Sequence, residues 1–108
     1  MTISELILAY LRSYHWGKGN ALPRAELLLY LWQVYDPELT DRQMRRAYED
    51  LPICSCADGL FIPASAAEVD KYERYLSQKV PPWKLREKIE RLRKAYPQFW
   101  NIQMELPI

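Results

Sequence analysis

Apolar residues recur at three- and four-residue intervals along most of this chain. Ile3, Leu6, Ile7, Tyr10, Leu11 and Tyr14 predict an amphipathic helix over 3–14. Gly17-Lys18-Gly19-Asn20 breaks that pattern as a turn. Pro23 suits the first position of a second helix, which the spacing carries to about Tyr35, where Asp36-Pro37 stops it. This helix is apolar nearly all round (Leu27 to Trp32, then Val34 and Tyr35), so it is either central or shared with a partner. Thr40-Asp41-Arg42-Gln43 opens a third helix with a capping box: the Thr40 hydroxyl accepts from the Gln43 amide and the Gln43 side chain reaches back. Met44, Ala47, Tyr48 and Leu51 form its inner stripe, Arg42, Arg45, Arg46 and Glu49 its outer face, and Pro52 ends it.

Ile53 to Pro63 carries the one strong strand signal before the tail. Asp58-Gly59 is the dipeptide of a two-residue type I′ hairpin turn, which sets Ala57 opposite Leu60 and Ser55 opposite Ile62. Ser65-Ala66-Ala67-Glu68 is a second capping box, starting a helix with Val69, Tyr72, Tyr75, Leu76 and Val80 inward. Pro81-Pro82 ends or kinks it. A last helix from about Trp83 carries Leu85, Ile89, Leu92 and Tyr96 on one stripe and Lys84, Arg86, Lys88, Arg91, Arg93 and Lys94 elsewhere. After Pro97 the period falls to two, with Trp100, Ile102, Met104, Leu106 and Ile108 apolar, which predicts an extended tail. The chain therefore divides into 1–63, a helical extension 64–96 packed on it, and the tail 97–108, as a single structural unit.

With 108 residues, 49% hydrophobic and 27% charged, the chain makes one small globular domain whose core needs no disulfide or metal. The longest apolar run, Leu27 to Trp32, is far too short for a membrane span. The first residues, Met1-Thr2-Ile3-Ser4-Glu5, lack the features of a secretion signal, so the expected location is cytoplasmic. Cys54 and Cys56 fall on opposite faces of a strand and read as small buried hydrophobes. His15, the one histidine, sits beside Trp16 at a helix end and reads as structural. No nucleophile–base pair, phosphate loop or metal-ligand spacing is present, so the expectation is a protein without catalysis, cofactor or metal.

The net charge is only +1, but it is unevenly placed. Residues 1–46 hold six bases and five acids, 47–78 two bases and six acids, and 79–108 seven bases and three acids. A fold can gather the basic parts on one side.

Helix, helix, capped helix with outward arginines, then a tight hairpin is the element order of a winged helix-turn-helix. Pro23-Arg24-Ala25-Glu26-Leu27 resembles the start of the helix before the turn. Thr40 to Leu51 resembles the recognition helix of small phage- and prophage-type winged-helix DNA-binding proteins, and Pro52 to Ser55 with Asp58 to Pro63 resembles their wing. Ser65 onward is similar to the helical segment that follows the wing. The resemblance implies an α+β, mostly α fold: three helices plus a β-hairpin wing, with two further C-terminal helices and an extended tail.

It also implies a function, DNA binding by a transcriptional regulator or replication-module protein, with the third helix in the major groove of double-stranded DNA. Arg42, Gln43, Arg45 and Arg46 become groove-facing candidates, since arginine pairs with guanine and glutamine with adenine in bidentate fashion. Thr40 and the free amides at the helix start can hold a phosphate, and Lys18, Arg24 and the wing tip at Gly59 are candidate backbone contacts. A homodimer on palindromic sites one turn apart is expected from the apolar second helix, the aromatic surplus and the alternating tail. An outward Arg/Glu face is also what a solvated surface looks like, and the basic last helix is either an auxiliary phosphate surface or a solvated helix with Glu87–Arg91 and Glu90–Lys94 pairs.

Gln103-Met104-Glu105-Leu106-Pro107-Ile108 resembles the Gln-Leu-x-Leu-x-Leu peptides that dock on the bacterial sliding clamp, with Pro107 a departure. Trp100, Ile102, Gln103, Met104, Leu106 and Ile108 are accordingly the protein-interaction candidates. The preferred reading of the tail is a strand or arm packed on its own domain or swapped onto a second subunit. The alternative function is a non-catalytic adaptor that binds protein through the winged helix and the tail.

Overall fold

The structure is a computed structural model that describes residues 1–101. It is α+β and mostly helical, with six α-helices and one two-stranded antiparallel hairpin among those residues. Helix α1 (Ile3–Tyr14) opens with a full capping box: the Thr2 hydroxyl accepts from the Glu5 amide at 3.1 Å and the Glu5 carboxylate accepts from the Thr2 amide at 2.9 Å. The bond from the Thr2 amide is the main cause that lowers the pKa of the Glu5 carboxyl from its ordinary value. Ile7 and Leu11, one turn apart, are fully buried, as the spacing predicts.

A short 3-10 turn, Lys18–Asn20, follows Gly17, whose φ of +86° few other residues adopt. His15 closes α1, its ring Nδ1 2.7 Å from the Asn20 carbonyl oxygen, while its own carbonyl accepts from the Ile62 amide at 2.8 Å. Helix α2 (Arg24–Val34) begins after Pro23, not at it, because Pro23 keeps an extended ψ of 140°. Leu27 and Leu31 point into the core, whereas Leu29, Val34 and Tyr35 stay about half exposed, so α2 is not a central helix. The Trp32 indole N–H donates to the Leu39 carbonyl at 2.7 Å and pins the chain that leads to the next helix.

Helix α3 (Asp41–Tyr48) carries the expected capping box, with Gln43 N to Thr40 Oγ1 at 3.1 Å and Thr40 N to Gln43 Oε1 at 2.9 Å. It stops short of Leu51, whose amide turns back to the Tyr48 carbonyl in a tight last turn ahead of Pro52. Met44 is fully buried, and the Ser4 hydroxyl donates to the Ala47 carbonyl at 2.7 Å, fixing α1 against α3.

Strands β1 (Cys54–Cys56) and β2 (Gly59–Phe61) form the hairpin in a different register from the predicted one. Ser55 faces Leu60 and Cys56 faces Gly59, so the turn residues are Ala57 and Asp58, not Asp58 and Gly59. The cause lies far away in sequence. Leu22 pairs with Leu60 on the other edge of β2 through bonds of 2.7 and 2.9 Å, which brings Gly59 against the Leu22 backbone as a strand residue and so keeps it out of the turn. Cys54 is buried, which pushes its thiol up from its ordinary value, Cys56 is half-buried, and both are free.

Helix α4 (Ala66–Ser77) packs on β1, and α5 (Pro82–Ala95) packs on α4. Ser65 caps α4, accepting from the Glu68 amide at 3.3 Å, but the reciprocal half of that capping box is not made. The Glu68 carboxylate instead accepts from the Ala64 amide at 2.8 Å and the Lys18 amide at 3.0 Å. Pro82 starts α5, where its missing N–H costs nothing, and Ile89, Leu92 and Tyr96 are buried. The Tyr96 hydroxyl donates to the Pro52 carbonyl at 2.8 Å.

The tail departs from expectation at its start. Gln98–Asn101 forms one helical turn, α6, which places Trp100 on a helix instead of an extended arm. Aromatic packing explains it: Phe99 stacks on Tyr96 at 5.7 Å between centroids, and the Arg93 guanidinium lies 5.8 Å from the centre of the Trp100 ring. Ile102, Gln103, Met104, Leu106 and Ile108 lie outside the described residues.

Candidate nucleic-acid interface

Helix α3 places Arg42, Arg45 and Arg46 on the face away from Met44, and all three are exposed. The three are not equivalent. The Arg45 Nε lies 2.8 Å from the Asp41 carboxylate, one turn earlier, whereas Arg42 and Arg46 form no ion pair among the described residues. Thr40 and Gln43 sit at the amino end, but their side chains are engaged with each other's backbone amides. The Gln43 carbonyl oxygen is committed to the cap, and only its amide nitrogen is left to donate.

The exposed arginine face also borders a cleft of about 270 Å³, whose other walls come from β1, β2, α4 and α5. Lys88 and Arg91 of α5 reach the same cleft, giving five cations against one lining carboxylate, Glu49. The pairs Glu87–Arg91 and Glu90–Lys94 expected within α5 do not form among the described residues. Its cations cross to other helices instead: Lys84 to Glu49 at 4.0 Å, Arg91 to Asp50 at 3.8 Å and Arg93 to Glu73 at 3.7 Å. The Lys88 ammonium donates to the Glu49 carbonyl at 3.3 Å, at the carboxyl end of α3, where a helix favours positive charge. Burial lowers the Lys88 pKa, and the neighbouring Lys84 and Arg91 charges lower it further.

The remaining candidates are more scattered. Arg24 and Gly59 line a groove beside the cleft, sharing Tyr48, Ser55 and Leu60 with it. Gly59 is half-buried, and its missing side chain admits the Leu22 backbone. Lys18 lies in a different cleft, with Lys71 and Glu68, and does not join the arginines. The hairpin is not a free wing either, because α4 lies against β1. Lys88 and Arg91 were visible in the sequence as part of a basic segment, but only the crossing of α5 over the end of α3 brings them to the arginine face.

Among the described residues no helix is long and apolar enough to cross a membrane. In comparison with known proteins, the chain matches no family model, no curated protein and no solved structure.

Proposed function

We propose that this chain is a non-catalytic, cytoplasmic winged helix-turn-helix protein that binds double-stranded DNA, with α3 presented to the major groove. The order of three helices and a hairpin supports this reading, as does the Leu22 bridge that fastens the hairpin to the chain entering α2. The observation that carries it is the pair Arg42 and Arg46, exposed one turn apart on α3 without a carboxylate partner among the described residues and continued by Lys88 and Arg91. Unpaired guanidinium groups on one helix face are suited to phosphates and to guanine edges. Arg24 at the adjoining groove extends the basic surface toward the hairpin.

Fluorescence anisotropy with mixed-sequence duplex across a salt series tests the proposal. Binding that weakens steeply with the logarithm of salt is the expected result, because each phosphate contact releases counterions. Absence of binding at low salt overturns it.

A second reading, an adaptor that binds protein, is favoured by one observation: the exposed apolar residues Leu29 and Val34 on α2 and Tyr35 at its end. Sedimentation equilibrium of the wild type and of Leu29→Glu tests whether that face binds a second copy of the chain, an outcome compatible with either reading. A dimer that the substitution dissociates supports the apolar face as an interface, and a monomer in both rules it out as a self-association surface.

A further inference from the structure

We propose that the cleft between α3 and α5 is a binding site for a small phosphate ester, its phosphate held by Arg46, Lys88 and Arg91 and its organic body resting on the apolar floor. Three observations converge on this. The first is charge: five cations face a concave space that contributes one carboxylate of its own. The second is depth. Tyr48 and Leu51 line the cleft and are only half-buried, and the buried Ile53, Cys54 and Leu60 close its bottom, so an apolar body rests on the Tyr48 ring and the Leu51 side chain beneath the cationic rim. The third is the setting of Lys88. Its ammonium has one backbone carbonyl as acceptor, and it lies beside Lys84 and Arg91, which reach the Glu49 and Asp50 carboxylates only at 4.0 and 3.8 Å. An anion among these cations makes the short charge-assisted bonds that those long pairs leave open, and bidentate guanidinium–phosphate bonds add directionality.

The size of the space narrows the ligand class. A volume of about 270 Å³ lies just under the usual range for small-molecule sites. That fits a phosphate with a compact ring or chain and is too small for an extended dinucleotide. A phosphate of the DNA backbone reaches the rim, where Arg42 and Arg46 stand exposed, but its sugar-linked neighbours keep it from the floor. A ligand in the cleft draws Arg46 away from the outer face, so occupancy and duplex binding oppose each other by mass action.

The test is isothermal titration of the full chain at low salt and without DNA, using inorganic phosphate and phenyl phosphate as probes. The expected result is one equivalent of each, with phenyl phosphate at least about tenfold tighter because its ring reaches the floor. Arg46→Ala and Lys88→Met each weaken both probes by about tenfold or more, whereas Arg93→Ala, whose partner is Glu73, leaves them unchanged. Arg46 is exposed and holds no packing role, so its variant keeps the proposal testable if Lys88→Met lowers stability. Absence of saturable heat overturns the site, as does equal loss in Arg93→Ala. Equal affinity for the two probes overturns the apolar half of the proposal. Because no duplex is present, failure here leaves the DNA reading standing, and failure of duplex binding leaves this site standing.

Discussion

A methyl group built on Gly59 would overlap the carbonyl oxygen of Leu22. The φ of Gly59 is also +134°, a conformation that side chains resist. Both constraints come from the pairing of Leu22 with Leu60, which draws the chain entering α2 onto the hairpin. Gly59→Ala therefore has to break that bridge or strain the backbone. A loss of at least about 2 kcal/mol is expected in urea unfolding. A change within about 0.5 kcal/mol would show that the hairpin moves freely relative to Leu22.

Glu68 ties three parts of the chain together through one carboxylate, accepting from Lys18 and Ala64 while its own amide is capped by Ser65. Glu68→Ala leaves two backbone amides without their acceptor and is expected to cost about 1–3 kcal/mol. Glu68→Gln keeps one carbonyl acceptor and should fall between alanine and wild type. Amide hydrogen exchange at Lys18 and Ala64 reads the same event locally. Unchanged protection there in Glu68→Ala would contradict the arrangement.

Alkaline stability follows from Tyr72. Burial raises its phenol from 10.0 to about 12 in the folded protein. The unfolded chain gives up the proton first, so the Tyr72 contribution is constant below about pH 10 and falls as pH rises from there toward 12, by up to about 2–3 kcal/mol. Tyr96 and Cys54 are raised by burial too and act in the same direction, Cys54 from about pH 9, the ordinary value of its thiol. Tyr72→Phe should lose part of the alkaline decline. Parallel stability curves for wild type and Tyr72→Phe would assign the decline to the other two groups.

The helices were legible because each carries its own local code. Thr40 and Gln43 fix the start of α3 within four residues of sequence, and the Ile7/Leu11 and Ile89/Leu92 spacings mark inner faces without reference to any other element. The hairpin register was not legible, since it is set by Leu22, whose contact with Leu60 no local pattern encodes. The site divides along the same line. Its α3 wall follows from the period of one helix. Its α5 wall depends on which way that helix is rotated when it crosses Glu49 and Asp50, and Lys88 and Arg91 gain their place only there. Glu68 shows the limit of a motif: Ser65-Ala66-Ala67-Glu68 matches a capping box, yet two better-placed amides outside the motif take the carboxylate.

The turn at the carboxyl end gives a prediction about where the chain can be cut. Phe99 stacks on Tyr96, and both Phe99 and Trp100 are half-buried against the core. Relative to a chain ending at Asn101, one ending at Pro97 loses both rings and about 2–4 kcal/mol. Comparing both truncations with the full chain in a pull-down separates a partner that needs residues 102–108, lost already in the chain ending at Asn101, from a fold that has lost its support. Equal stability of the two chains would show that α6 contributes nothing to the core.

The ion pair between Arg45 and Asp41 ranks the three arginines of α3. Arg45 is held at 2.8 Å by a carboxylate on its own helix, and it must leave that partner before it touches DNA. Both groups are about half exposed, so the pair itself is worth little in stability, on the order of 0.5 kcal/mol. Its effect on binding is larger, because the carboxylate also repels phosphate. If α3 contacts duplex, Arg46→Ala weakens it about tenfold and Arg45→Ala by less. Asp41→Asn should strengthen binding by several-fold at low salt, with a small loss of helix stability from the missing charge at the amino end. Anisotropy titrations of the three variants at two salt concentrations decide this. Equal losses for Arg45→Ala and Arg46→Ala, with no gain in Asp41→Asn, would show that Asp41 does not restrain Arg45, and no loss in either would show that the duplex lies elsewhere along the basic surface.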